Sequence, residues 1–253
     1  MATLDRDGVC ISYEAVGSGP PVLLSNGYSA TAQMWAGQVA AWSGDYRMIT
    51  WDMRGHGLSD SPEDPALFSE AQTVGDMAAI LDACGVEQAV IGGLSLGGYM
   101  SLAFNVEHPE RVRALVLCDT GPGYRKVEAR DGWNAMAIRR AEAFETRGLE
   151  ALGRAAEVSV STHRSAKGLA LAARHMLPQY DSRIIDSLPS ISVPTLVLVG
   201  ERDERFIAPA DYMAAKIPGA VKAVIPDAGH AANIDQPEAF NAAVREFLDS
   251  LPG

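Results

Sequence analysis

The sequence predicts an α/β fold, a mostly parallel central sheet flanked by helices, with a helical insert in the middle of the chain. Three observations carry that expectation. Short apolar runs alternate with segments of helical period along most of the chain. Several runs, such as Leu115-Val116-Leu117 and Leu196-Val197-Leu198-Val199, are continuously hydrophobic, as strands buried on both faces are. Strand grammar then stops after Cys118 and resumes only beyond Pro189 and Pro194. The text between is Ala- and Arg-rich and helical, and far longer than one crossover needs.

Taken in order, the predicted strands are Val9–Glu14, Val22–Ser25, Arg47–Asp52, Ala89–Leu94, Ala114–Cys118, Thr195–Gly200 and Lys222–Ile225. A helix is expected over Thr73–Ala83, opened by Thr73-x-x-Asp76 in the manner of a capping box. Another is expected over Glu238–Leu251, with Pro237 in its first turn and Phe240, Val244, Phe247 and Leu248 on its core face. The segments 1–121 and 190–253 then form one core, and 122–189 forms a helical cap, or lid, after the sixth strand.

Composition narrows the classes of function. With 253 residues, 47% hydrophobic and 21% charged, the chain can bury a substantial core. A net charge of −11 disfavours non-specific binding to nucleic acid or an anionic membrane. No apolar run approaches the ~20 residues that span a bilayer. Asp5, Arg6 and Asp7 fall where a signal peptide needs apolar residues. Cys10, Cys84 and Cys118 are odd in number and form no C-x-x-C pair. Buried free thiols in a reducing, cytoplasmic setting are expected, with no metal site and no cofactor. The charge is uneven: residues 122–189 carry +3 and the remainder −14.

Gly93-Leu94-Ser95-Leu96-Gly97 has the form G-x-S-x-G, between a predicted strand and a predicted helix. A nucleophile elbow needs that setting, because the serine sits at a sharp turn whose neighbours must approach without side-chain bulk. A serine hydroxyl also needs a base, and the base an acid to hold its tautomer. Of five histidines, His230 lies just beyond the last strand, at the sheet edge where ligands bind in open α/β folds. His108 sits at a helix end, His56 in a loop as a structural residue, and His163 and His175 in the insert. Asp203 follows the penultimate strand and fits the order Ser…Asp…His; Asp119, Glu201 and Glu204 compete with it.

Ser95, Asp203 and His230, in that order, resemble the α/β-hydrolase superfamily over essentially the whole sequence. Asp52-Met53-Arg54-Gly55-His56-Gly57-Leu58-Ser59-Asp60 looks like its loop after the fourth strand, and His108-Pro109-Glu110-Arg111-Val112 like its lead into the sixth. Gly229-His230-Ala231-Ala232-Asn233-Ile234-Asp235-Gln236-Pro237 looks most like 3-oxoadipate enol-lactone hydrolases and meta-cleavage-product hydrolases. The resemblance implies the α/β-hydrolase fold and hydrolysis of a small-molecule ester or lactone through an acyl-enzyme on Ser95. It leaves open carbon–carbon hydrolysis of a vinylogous diketone, cofactor-free perhydrolysis, and a ligand sensor that retains the triad. Epoxide hydrolases and haloalkane dehalogenases of this fold use an Asp nucleophile, which Ser95 excludes.

The family commonly has His-Gly after the third strand, where this chain has Asn26-Gly27-Tyr28. Only a backbone N–H is required there, so the oxyanion donors fall to the amides of Tyr28 and Leu96, with Ser29 as the substitute for Tyr28. Asn26 either holds that loop through its side chain or serves as a turn former. Tyr28, Leu96, Trp133, Met136, Met176 and Phe206 are the expected pocket lining, with core packing the alternative for each. Arg125, Arg130, Arg139 and Arg140 point to a carboxylated substrate, or are solvated and paired with Glu128, Glu142 and Glu145.

Overall fold

The structure, a computed structural model describing residues 1–252, holds an eight-stranded sheet in the order β1-β2-β4-β3-β5-β6-β7-β8. The strands are β1 (Ala2–Arg6), β2 (Val9–Val16), β3 (Pro21–Ser25), β4 (Arg47–Trp51), β5 (Ala89–Leu94), β6 (Val112–Cys118), β7 (Thr195–Gly200) and β8 (Val221–Ile225). β1 pairs antiparallel with β2 and β2 with β4, while every pairing from β4 across to β8 is parallel. All seven predicted strands are present. β1 is an addition that hydrophobic patterning misses, because it lies at the sheet edge and its five residues are exposed or half-buried.

The helices are α1 (Ala36–Trp42), α2 (Glu70–Ala83), α3 (Leu96–Glu107), α4 (Val127–Arg147), α5 (Ala156–Ser159), α6 (Ala166–His175), α7 (Arg183–Ser187), α8 (Glu204–Lys216), α9 (Ala232–Asp235) and α10 (Pro237–Asp249). Alternation along the strands splits the core in two. Val22, Leu24 and Val116 face the layer closed by α1 and α10, with Trp42, Phe240 and Val244. Leu23, Leu115 and Leu117 face the layer of α2, α3 and α8, with Met77, Met100 and Met213. Burial on both faces is why these strands read as continuous apolar runs.

Two sequence expectations change. The α2 helix begins a turn before Thr73: Ser69 is the N-cap, its hydroxyl accepting from the Gln72 amide at 3.0 Å. Ser69-x-x-Gln72 fits the capping pattern at least as well as Thr73-x-x-Asp76. Asp76 is instead fully buried and takes a two-pronged ion pair from Arg54, at 2.6 and 2.8 Å, which ties the loop after β4 to α2. The three cysteines are free, but only Cys118 is buried; Cys84 is half-buried and Cys10, near the start of β2, is exposed.

Between β6 and β7, α4 to α7 form a helical insert in which α4 and α6 pack on each other. Among the described residues, no helix is long and apolar enough to cross a membrane.

Candidate active site

Ser95 stands between β5 and α3 with φ 55° and ψ −112°, a left-handed conformation strained for a residue with a side chain. The surrounding backbone enforces it. The Ser95 amide donates to the Cys118 carbonyl at 2.9 Å, and the Thr120 hydroxyl donates to the Ser95 carbonyl at 2.6 Å. A Cβ on Gly93 would lie 2.5 Å from the Gly97 backbone, and one on Gly97 would strike the Ser25 carbonyl, so the motif's glycines permit the turn.

Asp203 and His230 follow β7 and β8 and converge on the same edge. Asp203 Oδ2 lies 2.6 Å from His230 Nδ1, and Phe206 stacks on the imidazole with ring centroids 5.1 Å apart. The carboxylate selects the tautomer with hydrogen on Nδ1, leaving Nε2 as the free base. His230 and Ser95 line the same cavity.

Asp119 also ends a strand here, but its surroundings differ. It is fully buried, and its Oδ1 accepts the Gly200 amide at 2.7 Å. Burial, aggravated by the neighbouring Asp203 charge, raises its pKa far above the carboxylate range. Its Oδ2 is buried and has no hydrogen-bond partner, so the carboxyl is favoured in its neutral, protonated form. Asp119, Asp203 and His230 present ligand atoms within 4.8 Å of one another, a spacing that can hold a metal ion. Asp203 Oδ2 and His230 Nδ1 already engage each other, and Asp119 Oδ1 engages the Gly200 amide.

The loop after β3 is fixed from three sides. Asn26 Nδ2 donates to the carbonyls of Gly27 and Ala30, at 2.9 and 2.8 Å, so Asn26 does hold the loop through its side chain. The Ser29 amide donates to His56 Nε2 at 3.1 Å, which removes it as a free donor; His56 Nδ1–H in turn donates to the Arg54 carbonyl at 3.0 Å. Burial holds His56 neutral, its pKa lowered to about 3. His163 of the insert donates from Nε2 to the Ser29 carbonyl at 3.0 Å and accepts the Gly57 amide at Nδ1. Burial lowers its pKa as well. Ser161 Oγ accepts the Thr31 amide, and the Tyr28 hydroxyl donates to the Leu169 carbonyl. Among the described residues, the amides of Tyr28 and Leu96 meet no protein acceptor.

Two chambers meet at Ser95, sharing Trp133, Leu177, Arg205 and Phe206. The smaller, about 190 Å³, is mostly apolar and runs past Leu96, Tyr99, Pro122, Tyr124, Ile185 and Pro209. The larger, about 390 Å³, holds Tyr28, Met136, Arg140, Arg154, Glu157 and His230. Five of the six predicted lining residues therefore reach the cavity. Met176 does not: it is 2% exposed in the core beneath, and a one-residue step along the chain turns Leu177 toward the cavity instead. Of the four flagged arginines, only Arg140 lines the chamber that holds His230. Arg125 pairs with Asp186, Arg130 donates to the Tyr124 and Arg125 carbonyls, and Arg139 lines a separate groove. Of the three expected acidic partners, Glu145 does form a pair, with Arg174.

Sequence reasoning missed Thr120, Ser161, His163, Arg154, Arg205 and Gln179. Thr120 follows Asp119 at a strand end and could have been found by the edge rule that found Asp203. The other five lie in or beside the insert, where nothing local marks them.

The alpha/beta hydrolase family model matches residues 22–243. The chain is 33% identical over 275 residues to 3-oxoadipate enol-lactonase 1 of Acinetobacter baylyi, covering 98% of this chain and 96% of that one. A thermophilic esterase from Thermogutta terrifontis superposes with a TM-score of 0.83 at 32% identity, covering 98% of this chain and 97% of that one. The enol-lactonase from Burkholderia xenovorans LB400 superposes at 0.80 with 28% identity, covering 98% and 100%. The strained serine elbow, the histidine–carboxylate pair after the last two strands and these matches across nearly the whole length lead to one conclusion: the chain belongs to the alpha/beta hydrolase family.

Proposed function

We propose that the protein is a serine hydrolase of small esters or lactones, working through an acyl-enzyme on Ser95. The observation that carries this reading is the 2.6 Å contact between Asp203 and His230, set in one cavity with a serine in a strained turn. His230 Nε2 takes the Ser95 proton as Oγ attacks the carbonyl carbon. Asp203 holds the imidazole and stabilises the imidazolium that forms. The oxyanion rests on the Tyr28 and Leu96 amides, which are free of protein acceptors. His230 then protonates the leaving oxygen, activates water, and the acyl-enzyme is hydrolysed. Residues 122–189 act as a cap that shapes the cavity. The enol-lactonase and esterase relatives support this chemistry.

The substrate we favour carries a carboxylate on its leaving half. Arg140, Arg154 and Arg205 line the chamber that holds His230, against the carboxylates of Glu157 and Asp203, the latter bound to His230.

The test is steady-state hydrolysis of short phenyl esters and lactones by wild type and Ser95→Ala. The expected loss in kcat/KM is at least about a thousandfold; a loss below about tenfold contradicts the reading.

A further inference from the structure

Resting on the serine-hydrolase reading above, the two chambers divide the substrate between them. The general acid must reach the leaving oxygen, and His230 lines only the larger chamber. The leaving group therefore occupies the larger chamber, and the acyl group extends the other way, into the smaller one. That space of about 190 Å³ exceeds the roughly 150 Å³ that accommodates benzene, which sets the acyl group at a short chain or a single ring.

This chamber is mostly apolar but has one anomaly. Gln179 lines it, is only 7% exposed, and its buried Oε1 has no hydrogen-bond partner. No side-chain hydrogen bond among the described residues holds either end of its amide. Several other polar groups of the wall are engaged. The Thr120 hydroxyl donates to the Ser95 carbonyl, Trp133 Nε1 donates to the Leu177 carbonyl, Arg125 donates to the Tyr212 hydroxyl, and Arg205 lies over the Trp133 ring.

The seat of Gln179 is built with care. Asn134 clamps its backbone on both sides, accepting the Gln179 amide at Oδ1 (2.8 Å) and donating from Nδ2 to the Gln179 carbonyl (2.9 Å). Its side-chain amide lies over Gly123, where a Cβ would come within 2.8 Å of Oε1. Gly123 also has φ +88°, so glycine is required there twice over. A buried polar amide left unpaired is unfavourable in the empty protein, and a ligand that pairs it gains a corresponding preference.

We infer that Gln179 is a specificity residue of the acyl chamber, and that the acyl half of the substrate carries a polar group, a carbonyl, hydroxyl or amide, that hydrogen-bonds its side-chain amide. The apolar walls around it accept the carbon chain, and Gln179 fixes where along that chain the polar atom lies.

The test compares phenyl 4-oxopentanoate with phenyl pentanoate, and phenyl 5-oxohexanoate with phenyl hexanoate. The readout is the ratio of kcat/KM within each pair. Wild type is expected to prefer the oxo ester by about tenfold or more in at least one pair. Gln179→Leu and the unbranched Gln179→Met are expected to bring that ratio to about one. Thermal melting of both variants controls for folding. With the oxo group moved to the alcohol half, 4-oxopentyl pentanoate against pentyl pentanoate, the ratio should not respond to Gln179. Equal ratios in wild type and both variants, or no oxo preference in wild type, overturn the inference and leave the hydrolase reading intact. Absence of Ser95-dependent turnover on every ester overturns both.

Discussion

The two walls of the cleft are held in different ways. On the sheet side, Ser95, Asp203 and His230 stand at the ends of β5, β7 and β8, fixed by ladder hydrogen bonds, a strained turn and glycines with no room for a Cβ. The insert side is fixed by individual side chains. His163 holds the Ser29 carbonyl, Ser161 the Thr31 amide, and Leu169 the Tyr28 hydroxyl. The sheet wall therefore resists change. The insert wall can be altered one residue at a time, and it supplies much of the lining of both chambers. On the proposed function, reaction chemistry belongs to the first and substrate choice to the second, with the loop after β3 touching both.

The sharpest way to break this division lies within the sheet wall. Asp203→Asn removes the charge that holds the His230 tautomer and is expected to lower kcat by about 10³–10⁴. Asp119→Asn should cost less than about fivefold, because an asparagine offers the same acceptor to the Gly200 amide and is neutral, as a protonated Asp119 is. Comparable losses in the two variants would erase the distinction between the carboxyls.

A smaller effect is expected where the walls join. His163→Ala frees the Ser29 carbonyl and loosens the loop that carries the Tyr28 amide. Losing one oxyanion donor outright costs about 10²–10³; a loosened one should cost about tenfold to a hundredfold, in kcat more than in KM. A change confined to KM would place His163 in substrate binding instead.

The neighbouring His56 gives a pH signature. Its pKa is about 3 in the fold against 6.5 when exposed, so the unfolded chain takes up a proton first as pH falls. Its stabilising contribution is therefore full above pH 6.5 and declines as pH drops toward 3. By pH 5 the decline is about 2 kcal/mol, at about 1.4 kcal/mol per pH unit. Asp119 titrates with the opposite sign, since its raised pKa favours the fold at lower pH, so the test is a difference between variants. Denaturant unfolding of wild type and His56→Gln should show wild type losing about 2 kcal/mol relative to the variant between pH 7 and pH 5. Parallel curves would show that His56 is not held neutral.

The smallest expected effect is in the larger chamber. Arg140→Ala should reduce the preference for a carboxylated lactone over its neutral analogue by about tenfold. Equal kcat/KM for the two lactones in wild type removes the charge argument altogether.

Much of the sheet wall was legible in the sequence, for a physical reason. Strands buried on both faces, glycines flanking a serine, and acid and base after successive strands are local patterns imposed by backbone geometry. Asp119 and Asp203 both satisfy the edge rule, and their partners separate them: Asp203 meets His230, and Asp119 accepts the Gly200 amide. The start of α2 was misread because Ser69-x-x-Gln72 and Thr73-x-x-Asp76 both fit a cap. What decided it was Arg54, twenty-two residues before Asp76, drawing that carboxylate into the core. In the insert, His163 and Gln179 gain their roles only by docking, and no periodicity marks them. Met176 failed as a lining residue and Leu177 succeeded because a single step of register decides which side chain faces the cavity.

The proposed reaction passes through a covalent acyl-enzyme on Ser95. Its most direct test is rapid acid quench of wild type turning over a phenyl ester, followed by intact-mass measurement and peptide mapping. The expected result is a mass increase equal to one acyl group, localised to the Ser95 peptide and absent in Ser95→Ala. Continued turnover by Ser95→Ala, or an acyl group found on another residue such as the exposed Cys10, would contradict it.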